Sequence, residues 1–205
     1  MDKSIDVQSL SNYSVVEVKA CTEMVGESYG SAVFVNSDGT LITNAHVVTY
    51  KQSNEFFAFD SLEIRFSTEI KYREVELIKY DIEKDLAVLK LKNINCKIKA
   101  VKFANSSDIQ LNDKVYAIGN LNNVGISLTS GIVSNKMINV DYNGISRNVI
   151  QCDLTIAEGN SGGALLNEKG ELIGITTFRL KDTSRNVIYG ICYCIPSNTV
   201  VEYIK

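Results

Sequence analysis

Hydrophobic and polar residues alternate along this chain in short runs, which is the pattern of β-strands. Turn sequences such as Asn36-Ser37-Asp38-Gly39 separate the runs at the spacing of antiparallel sandwiches and barrels. The pattern therefore predicts an all-β fold. The predicted strands lie at residues 13–18, 31–35, 62–66, 75–80, 86–91, 115–118, 149–154, 172–177 and 187–195.

A helix is predicted at the C-terminal end of the chain. In residues 196–203 the apolar residues Val200 and Tyr203 fall on one helical face. Ser197 or Asn198 can cap the first turn through a side-chain oxygen.

A polar stretch near the middle of the chain divides the strands into two groups. It lies at residues 105–108, which suggests one β-barrel half over 1–105 and another over 106–205. The chain has a single proline and no flexible linker between the halves. We therefore expect the halves to pack together as a single domain over 1–205.

Composition excludes several classes of function. The 205 residues are 45% hydrophobic and 22% charged, which is enough for a well-buried core. A net charge of -3 gives no basic stripe to neutralise phosphates, so no nucleic acid is expected as a partner. No apolar run reaches membrane-spanning length, so no membrane is expected either. Since residues 1–6 lack a secretory signal, a cytoplasmic chain is predicted, or an exported one if a leader was removed.

The cysteines are odd in number and lack the spacing of metal ligands or of a redox pair. We interpret them as reduced thiols of the core, with a disulfide framework or a single reactive thiol as the alternatives. No metal site is predicted. The cysteines are Cys21, Cys96, Cys152, Cys192 and Cys194.

The chain contains one histidine, His46, which follows the apolar residues Leu41 and Ile42. Imidazole is the usual base that activates a hydroxyl group near neutral pH. A lone histidine without context more often has no such role, so this interpretation depends on a matching nucleophile.

A serine flanked by glycines supplies that nucleophile, in Glu158-Gly159-Asn160-Ser161-Gly162-Gly163. Attack on a carbonyl needs an exposed hydroxyl and backbone N–H groups that bind the developing oxyanion. Glycine allows the turn that presents both. We predict Ser161 as the nucleophile and Gly159, Asn160 and Ser161 as the oxyanion hole, with an ordinary glycine-rich turn as the alternative.

An acidic residue directly before an apolar strand completes the set. Asp85 precedes the predicted strand at 86–91, where a carboxylate can accept the imidazole N–H and fix its orientation. Charged residues before strands are usually solvated, as we expect for Asp81 and Glu83. The role predicted for Asp85 therefore depends on the residues around it.

Four segments together resemble the trypsin-like serine proteases of the HtrA (DegP) type. They are Gly30-Ser31-Ala32-Val33-Phe34, Thr43-Asn44-Ala45-His46-Val47-Val48, Asp85-Leu86-Ala87-Val88-Leu89 and Gly159-Asn160-Ser161-Gly162-Gly163. Further similar segments lie at 115–120, 129–134 and 194–198, so the resemblance covers residues 14–200. The order histidine, aspartate, serine is that of the chymotrypsin template.

This resemblance implies two packed six-stranded antiparallel β-barrels of the chymotrypsin type, followed by a short C-terminal helix. It implies that His46 and Asp85 come from the first barrel and Ser161 from the second, and that the three meet in the cleft as a catalytic triad. Thr177 lies where the family has a hydroxyl that hydrogen-bonds the acid of the triad.

Three departures from the family pattern carry further expectations. Asn160 replaces an aspartate that pairs with a newly cut N-terminus in digestive relatives, so no zymogen cleavage is implied. Ala157 and Glu158 replace an Asn-Pro pair, which predicts a loop that can switch between ordered and disordered forms. The chain ends at Lys205 without a PDZ domain, which leaves regulation to a homo-oligomer, a regulatory partner chain or the activation loops.

Alignment to the family also predicts the pocket for the substrate residue before the scissile bond. No acid stands at Thr155, which disfavours cleavage after lysine or arginine and favours a small or medium apolar residue. The alternatives are an Arg179 at the rim that favours an acidic residue, and a solvated Arg179. The predicted pocket residues are Thr155, Ile156, Thr176, Arg179, Cys192 and Cys194.

The leading hypothesis is a serine endopeptidase that hydrolyses a polypeptide substrate through an acyl-enzyme and needs no cofactor. One alternative is a protease-fold regulatory or scaffold protein that stays inactive until a partner orders residues 157–159. An esterase on the same triad is a third, although the chain has no α/β-hydrolase nucleophile elbow.

Overall fold

The computed structural model describes residues 6–142, 144–181 and 187–205, without the side chains of residues 142, 179–181 and 187–189. In the first half of the described chain the strands are β1 (Val15–Thr22), β2 (Gly26–Phe34), β3 (Thr40–Thr43), β4 (Thr49–Gln52), β5 (Glu55–Ala58), β6 (Ser61–Arg65), β7 (Arg73–Asp81) and β8 (Leu86–Leu91). In the second half they are β9 (Lys114–Asn120), β10 (Ile126–Tyr142), β11 (Ile145–Cys152), β12 (Ala164–Leu166), β13 (Leu172–Lys181) and β14 (Val187–Pro196). The α-helices are α1 (Val7–Tyr13), α2 (Ala45–Val48) and α3 (Ser197–Ile204).

Antiparallel pairing closes these strands into two six-stranded barrels. The first barrel has the strand order β1-β2-β3-β8-β7-β6, and the second has the order β10-β11-β14-β13-β12-β9. β4 and β5 pair only with each other, as a separate hairpin. The all-β fold with two barrels and a C-terminal helix, predicted from the sequence, is thus confirmed.

Buried side chains fill each barrel and the junction between the barrels. On β1, Val16 and Val18 belong to the core of the first barrel, whereas Val15 belongs to a cluster with Ile118 and Ile195 of the second. Successive side chains on a strand point to opposite faces, so strands at the junction are buried on both. Complete burial of one valine contributes about 1.5–3 kcal/mol. The same apolar runs therefore build the barrels and pack them against each other.

The predicted caps of α3 are wrong. Ser197 Oγ donates to the carbonyl oxygen of Ala104 at 2.7 Å, and Asn198 Oδ1 accepts from the N–H of Ser106 at 3.2 Å. Pro196 occupies the cap position and makes no side-chain hydrogen bond there. The two polar side chains instead attach the helix to the polar stretch in the middle of the chain.

The sequence pattern does not predict α1. Leu10 is the buried residue of this helix, and one buried residue gives no apolar period. Asp6 caps the helix, since its Oδ1 accepts from the N–H of Ser9 at 3.1 Å. None of the described helices combines the length and the apolar character needed to cross a membrane.

The cysteines do not all lie in the core, contrary to expectation. Cys152, Cys192 and Cys194 have no exposed surface and pack inside the second barrel. Cys21 and Cys96 are half-buried. Cys21 lies near the end of β1 and Cys96 in the loop after β8, where the chain leaves the first barrel.

Candidate active site

Strand pairing in the first barrel brings His46 next to Asp85. β3 and β8 pair antiparallel, with Thr43 opposite Ala87, so the end of β3 lies beside the start of β8. His46 lies in the single turn α2 that follows β3, and Asp85 directly precedes β8. His46 Nδ1 lies 2.9 Å from each carboxylate oxygen of Asp85, and the His46 N–H donates to Oδ1 at 3.0 Å.

Asp85 is buried and has an unusual backbone conformation. Its φ is +56°, in the left-handed region that residues other than glycine rarely adopt. Asn44 Nδ2 donates to the carbonyl oxygen of Asp85 at 2.9 Å, and Thr177 Oγ1 donates to its Oδ2 at 2.6 Å. Such strain costs about 1–3 kcal/mol and persists only where the surrounding contacts fix it. These contacts therefore hold the carboxylate against the imidazole.

The two charges shift the pKa of both groups. Burial raises the pKa of Asp85, but the charge and hydrogen bonds of His46 and the hydroxyl of Thr177 outweigh burial, and the pKa stays below the ordinary 3.8. Burial lowers the pKa of His46, but the charge and hydrogen bond of Asp85 raise it, and the result lies above the ordinary 6.5. The charge of Arg147 opposes this rise. At neutral pH Asp85 is therefore ionised, and His46 is a stronger base than a free histidine.

Pairing between β12 and β13 positions Ser161 just before β12. The N–H of Gly162 donates to the carbonyl oxygen of Thr176 at 2.8 Å, which extends the ladder up to the serine. Ser161 Oγ donates to the carbonyl oxygen of the next residue on β13, Thr177, at 2.8 Å. Thr177 is therefore bonded to both Asp85 and Ser161.

The nucleophile loop, residues 157–161, turns sharply at Gly159, whose φ is +89°. A Cβ atom there would lie 2.1 Å from the carbonyl oxygen of Asn120, so this position requires glycine. The N–H of Asn160 donates back within the loop at 3.1 Å. Among the described residues, the N–H groups of Gly159 and Ser161 find no acceptor. Of the three residues predicted for the oxyanion hole, Gly159 and Ser161 thus have free N–H groups, whereas the N–H of Asn160 is already hydrogen-bonded.

Hydrogen bonds from both barrels hold the nucleophile loop. Ser31 Oγ, on β2, donates to the carbonyl oxygen of Gly159 at 2.7 Å and accepts from the N–H of Asn120 at 2.8 Å. The N–H of Asn122, after β9, donates to the carbonyl oxygen of Glu158 at 2.7 Å. The loop, predicted to be switchable, is ordered in this structure by residues outside it.

Similarity to known proteins agrees with this geometry. The family model for the trypsin-like peptidase domain matches residues 30–175, a range that contains His46, Asp85 and Ser161. The chain belongs to the trypsin-like peptidase family.

Relatives within this family are named serine proteases. The probable serine protease do-like of Buchnera aphidicola subsp. Acyrthosiphon pisum is 38% identical over 175 residues, which are 83% of this chain and 34% of the relative. The periplasmic pH-dependent serine endoprotease DegQ of Escherichia coli is 37% identical over 174 residues, which are 84% of this chain and 35% of the relative. The solved structure of the HtrA-type protease AlgW with tripeptide is 30% identical with a TM-score of 0.79, and the match covers 97% of this chain and 62% of that one. The chain is thus similar to serine proteases of the HtrA type, and it spans about a third of the length of these two curated relatives.

The relatives also correct the predicted location. DegQ and the DegP-like relatives from Buchnera and Rickettsia are named periplasmic. The prediction of a cytoplasmic chain is therefore wrong. The first residues of this chain are a poor guide to location, because the chain matches only about a third of its relatives' length.

The side chains predicted for the specificity pocket lie in different environments. Cys192 and Cys194 face the core of the second barrel, because they alternate along β14 with Tyr193, which packs in another cluster. Thr176 is also buried, and its hydroxyl donates to the carbonyl oxygen of Asn160 at 2.5 Å. These three side chains are therefore buried, and their place in the specificity pocket stays a prediction.

The other predicted pocket residues lie closer to the surface or outside the description. Thr155 is exposed, whereas Ile156 is buried in the core of the second barrel. The side chain of Arg179 lies outside the described residues, so both interpretations of it stay predictions.

Sequence reasoning misses three residues of the site, Ser31 at the nucleophile loop and Asn44 and Arg147 next to Asp85. Ser31 and Asn44 lie in the segments that carry the family resemblance, but their residue types give no sign of their hydrogen bonds. Arg147 lies on β11, outside those segments, and crosses from the second barrel to the loop before Asp85. In the part of the chain that the structure describes, no three histidine, cysteine, aspartate or glutamate side chains come together as a metal site.

Gly162 is expected to be intolerant of alanine. Its φ is +86°, and a Cβ atom there would lie 2.0 Å from the carbonyl oxygen of Ser31. We expect Gly162→Ala to lower the free energy of unfolding by about 3 kcal/mol, because a backbone clash adds to the cost of the left-handed conformation. Urea denaturation monitored by circular dichroism measures this loss.

The matched control is Gly26→Ala. Gly26 has a φ of +85°, and nothing lies within 4 Å of its Cβ position. This variant carries the left-handed cost without the clash and should lose only about 1–2 kcal/mol. Equal losses in the two variants would contradict a role for the contact with Ser31.

Proposed function

We propose that this chain is a serine endopeptidase with Ser161 as nucleophile, His46 as general base and Asp85 as the acid that orients it. The observation that carries this proposal is the bonding at Thr177. Its hydroxyl binds the Asp85 carboxylate at 2.6 Å, and its carbonyl oxygen accepts from Ser161 at 2.8 Å. The His46 side chain, bonded to the same carboxylate, is 47% exposed and accessible to a substrate.

The first step requires a rotation of the Ser161 side chain. A serine hydroxyl has one proton, and here that proton is donated to Thr177, so the hydroxyl must turn away from Thr177 before it donates to His46. His46 then takes the proton as Oγ bonds to the carbonyl carbon of the substrate. Asp85 favours this transfer, because its charge stabilises the imidazolium that forms.

Backbone N–H groups stabilise the charge that develops next. Attack moves an electron pair onto the substrate carbonyl oxygen, and the free N–H groups of Gly159 and Ser161 bind that oxyanion. One such donor contributes about 10²–10³-fold to kcat. His46 then protonates the leaving amine as the C–N bond breaks, which leaves an ester on Ser161. Water, deprotonated by His46, attacks this ester and releases the second product.

Labelling with a fluorophosphonate probe tests the proposal. The probe reacts with an activated serine, so the wild-type protein is expected to label and Ser161→Ala to stay unlabelled. Ser107→Ala is a control at an exposed serine, and it should label like the wild type. Equal labelling of the wild type and Ser161→Ala would contradict the assignment of the nucleophile.

A second candidate function is a protease-fold scaffold that becomes active only with a partner. The Ser161 hydroxyl favours it, because its proton is donated to Thr177 and not to His46. Casein hydrolysis by the isolated chain distinguishes the two functions. Activity without any partner excludes the scaffold, and activity only after a partner is added supports it.

For the whole protein, we propose a polypeptide substrate and a periplasmic location, in line with the names of its relatives. A small or medium apolar residue before the scissile bond is proposed because neither Thr155 nor Ile156 supplies a carboxylate for a basic side chain. We also propose that a homo-oligomer or a regulatory partner chain regulates the whole protein.

A further inference from the structure

A cleft beside His46 is not used by the proposed mechanism. Its volume is about 430 Å³, and His46 and Asp85 form one side of it. The β4–β5 hairpin, the turn between β7 and β8 and strand β11 form the rest, so both barrels contribute. The remaining lining residues are Lys51, Phe56, Ile82, Ile145 and Arg147.

Arg147 joins the two barrels across this cleft. Its Nε donates to the carbonyl oxygen of Glu83 at 2.7 Å and its Nη2 to that of Ile82 at 2.6 Å. A guanidinium has five N–H donors, so three of them stay available for a ligand. The two carbonyl groups fix the position of the guanidinium without cancelling its charge.

The positive charge in the cleft exceeds the negative charge. Among the described residues, neither Lys51 nor Arg147 forms an ion pair with a carboxylate. The carboxylate of the lining, Asp85, already binds His46 and Thr177. With His46 neutral, two cations and one buried anion leave the cleft with a net positive charge.

The apolar walls strengthen the effect of this charge. Phe56 is 38% exposed, and Ile82 and Ile145 are half-buried, so apolar surface borders the two cations. Lys51 Nζ lies 5.7 Å from the centre of the Phe56 ring. A ligand that covers these walls removes water, and ionic hydrogen bonds are stronger in such surroundings.

We propose that this cleft is a substrate subsite for an acidic side chain, bound mainly by Arg147 and additionally by Lys51. The inference rests on the proposed function, because a peptide cleaved at Ser161 must pass His46 and present side chains to the cleft beside it. A carboxylate can take two N–H donors of a guanidinium at once. An amide of the same size cannot compensate the charge, so glutamine should bind less well than glutamate.

Matched peptides test the subsite. Internally quenched peptides share one cleavage sequence and carry glutamate or glutamine at one position at a time on either side of the scissile bond. For the wild type we expect one position at which kcat/KM is about tenfold higher with glutamate. A glutamate-to-glutamine ratio near one at every position would overturn the subsite.

Four variants identify the side chains that bind the glutamate carboxylate of the peptide. Arg147→Gln should bring the ratio to within about twofold of one, and Lys51→Gln should reduce it partially. Arg147→Lys keeps the charge but loses the forked contact with two carbonyls, so it should keep much of the ratio while kcat/KM falls for both peptides. Lys169→Gln removes a cation from a different cleft and should leave the ratio unchanged. A tenfold ratio that survives in the Arg147→Gln, Lys51→Gln double variant would overturn the proposal.

Binding to Ser161→Ala separates this inference from the proposed function. Fluorescent versions of the two peptides are titrated into that variant, and glutamate should bind about tenfold more tightly whether or not the wild type turns over. Equal affinities would overturn the subsite alone. Absence of fluorophosphonate labelling of the wild type would contradict the proposed function alone.

Discussion

Replacing His46 by alanine is expected to lower kcat by about 10⁶-fold while leaving the fold intact. His46 is the only histidine of the chain, so no second imidazole can take the proton of Ser161. Its side chain is 47% exposed, and its removal leaves no large cavity in the barrel. Initial rates on a quenched peptide measure kcat, and circular dichroism checks the fold.

The double variant His46→Ala, Ser161→Ala controls this prediction. Residues that act as one unit are far from additive, so the double variant should be about as slow as either single variant. A double variant slower than both by several orders of magnitude would mean that the two side chains act independently. A His46→Ala variant within about tenfold of the wild type would exclude His46 as the base.

Because the chain has one histidine, the pH dependence of kcat/KM can be compared directly with the titration of that residue. The pKa of His46 lies above the ordinary 6.5, because Asp85 raises it more than burial and Arg147 lower it. The base must be neutral, so kcat/KM should fall as the pH drops through this raised pKa. NMR of a protein without a histidine tag shows one imidazole titration. Agreement between that titration and the acid limb of kcat/KM is the expected result, and disagreement would contradict general-base catalysis by His46.

The sequence predicts the parts of this site whose chemistry is carried by residue type. A single histidine and a serine between glycines are visible without a structure, because few residue types serve as bases and because glycine marks strained turns. Alternation of apolar residues predicts the strands, because this pattern is visible within a few consecutive residues. The two barrels follow from the family resemblance, since alternation alone does not distinguish a barrel from a sandwich.

The other residues of the site cannot be recognised from the sequence, because their roles depend on contacts between residues far apart in the chain. Nothing local marks Asp85 over Asp81, since the difference comes from the register of β3 on β8 and from Asn44 and Thr177. Arg147 looks like any polar residue on an alternating strand. Its role is seen only in the folded structure, where Arg147 on β11 donates to carbonyl oxygens of the turn between β7 and β8. For Cys192 and Cys194, alignment gives the position along the chain, whereas the face of β14 on which they lie is known only from the structure.

Asp85→Asn is expected to lower kcat by about 10⁴-fold. The amide keeps the size of the side chain but loses the charge that stabilises the imidazolium of His46. It can also donate to Nδ1, which favours the wrong tautomer of the ring. The pKa of His46 should fall, because the charge of Asp85 is what raises it. The acid limb of the residual activity should therefore move to lower pH, and the imidazole titration seen by NMR should move with it.

Asp81→Asn is the matched control, because Asp81 is a nearby acid with a different partner. Asp81 is the half-buried last residue of β7 and pairs with Lys84 at 2.7 Å, so this variant should keep kcat within about twofold and leave the titration of His46 in place. If Asp85→Asn lowered kcat without moving the His46 titration, its effect would be structural and not electrostatic. If both variants moved the titration equally, long-range charge would explain the raised pKa. A shift confined to Asp85→Asn requires the direct contact of 2.9 Å between the carboxylate and Nδ1.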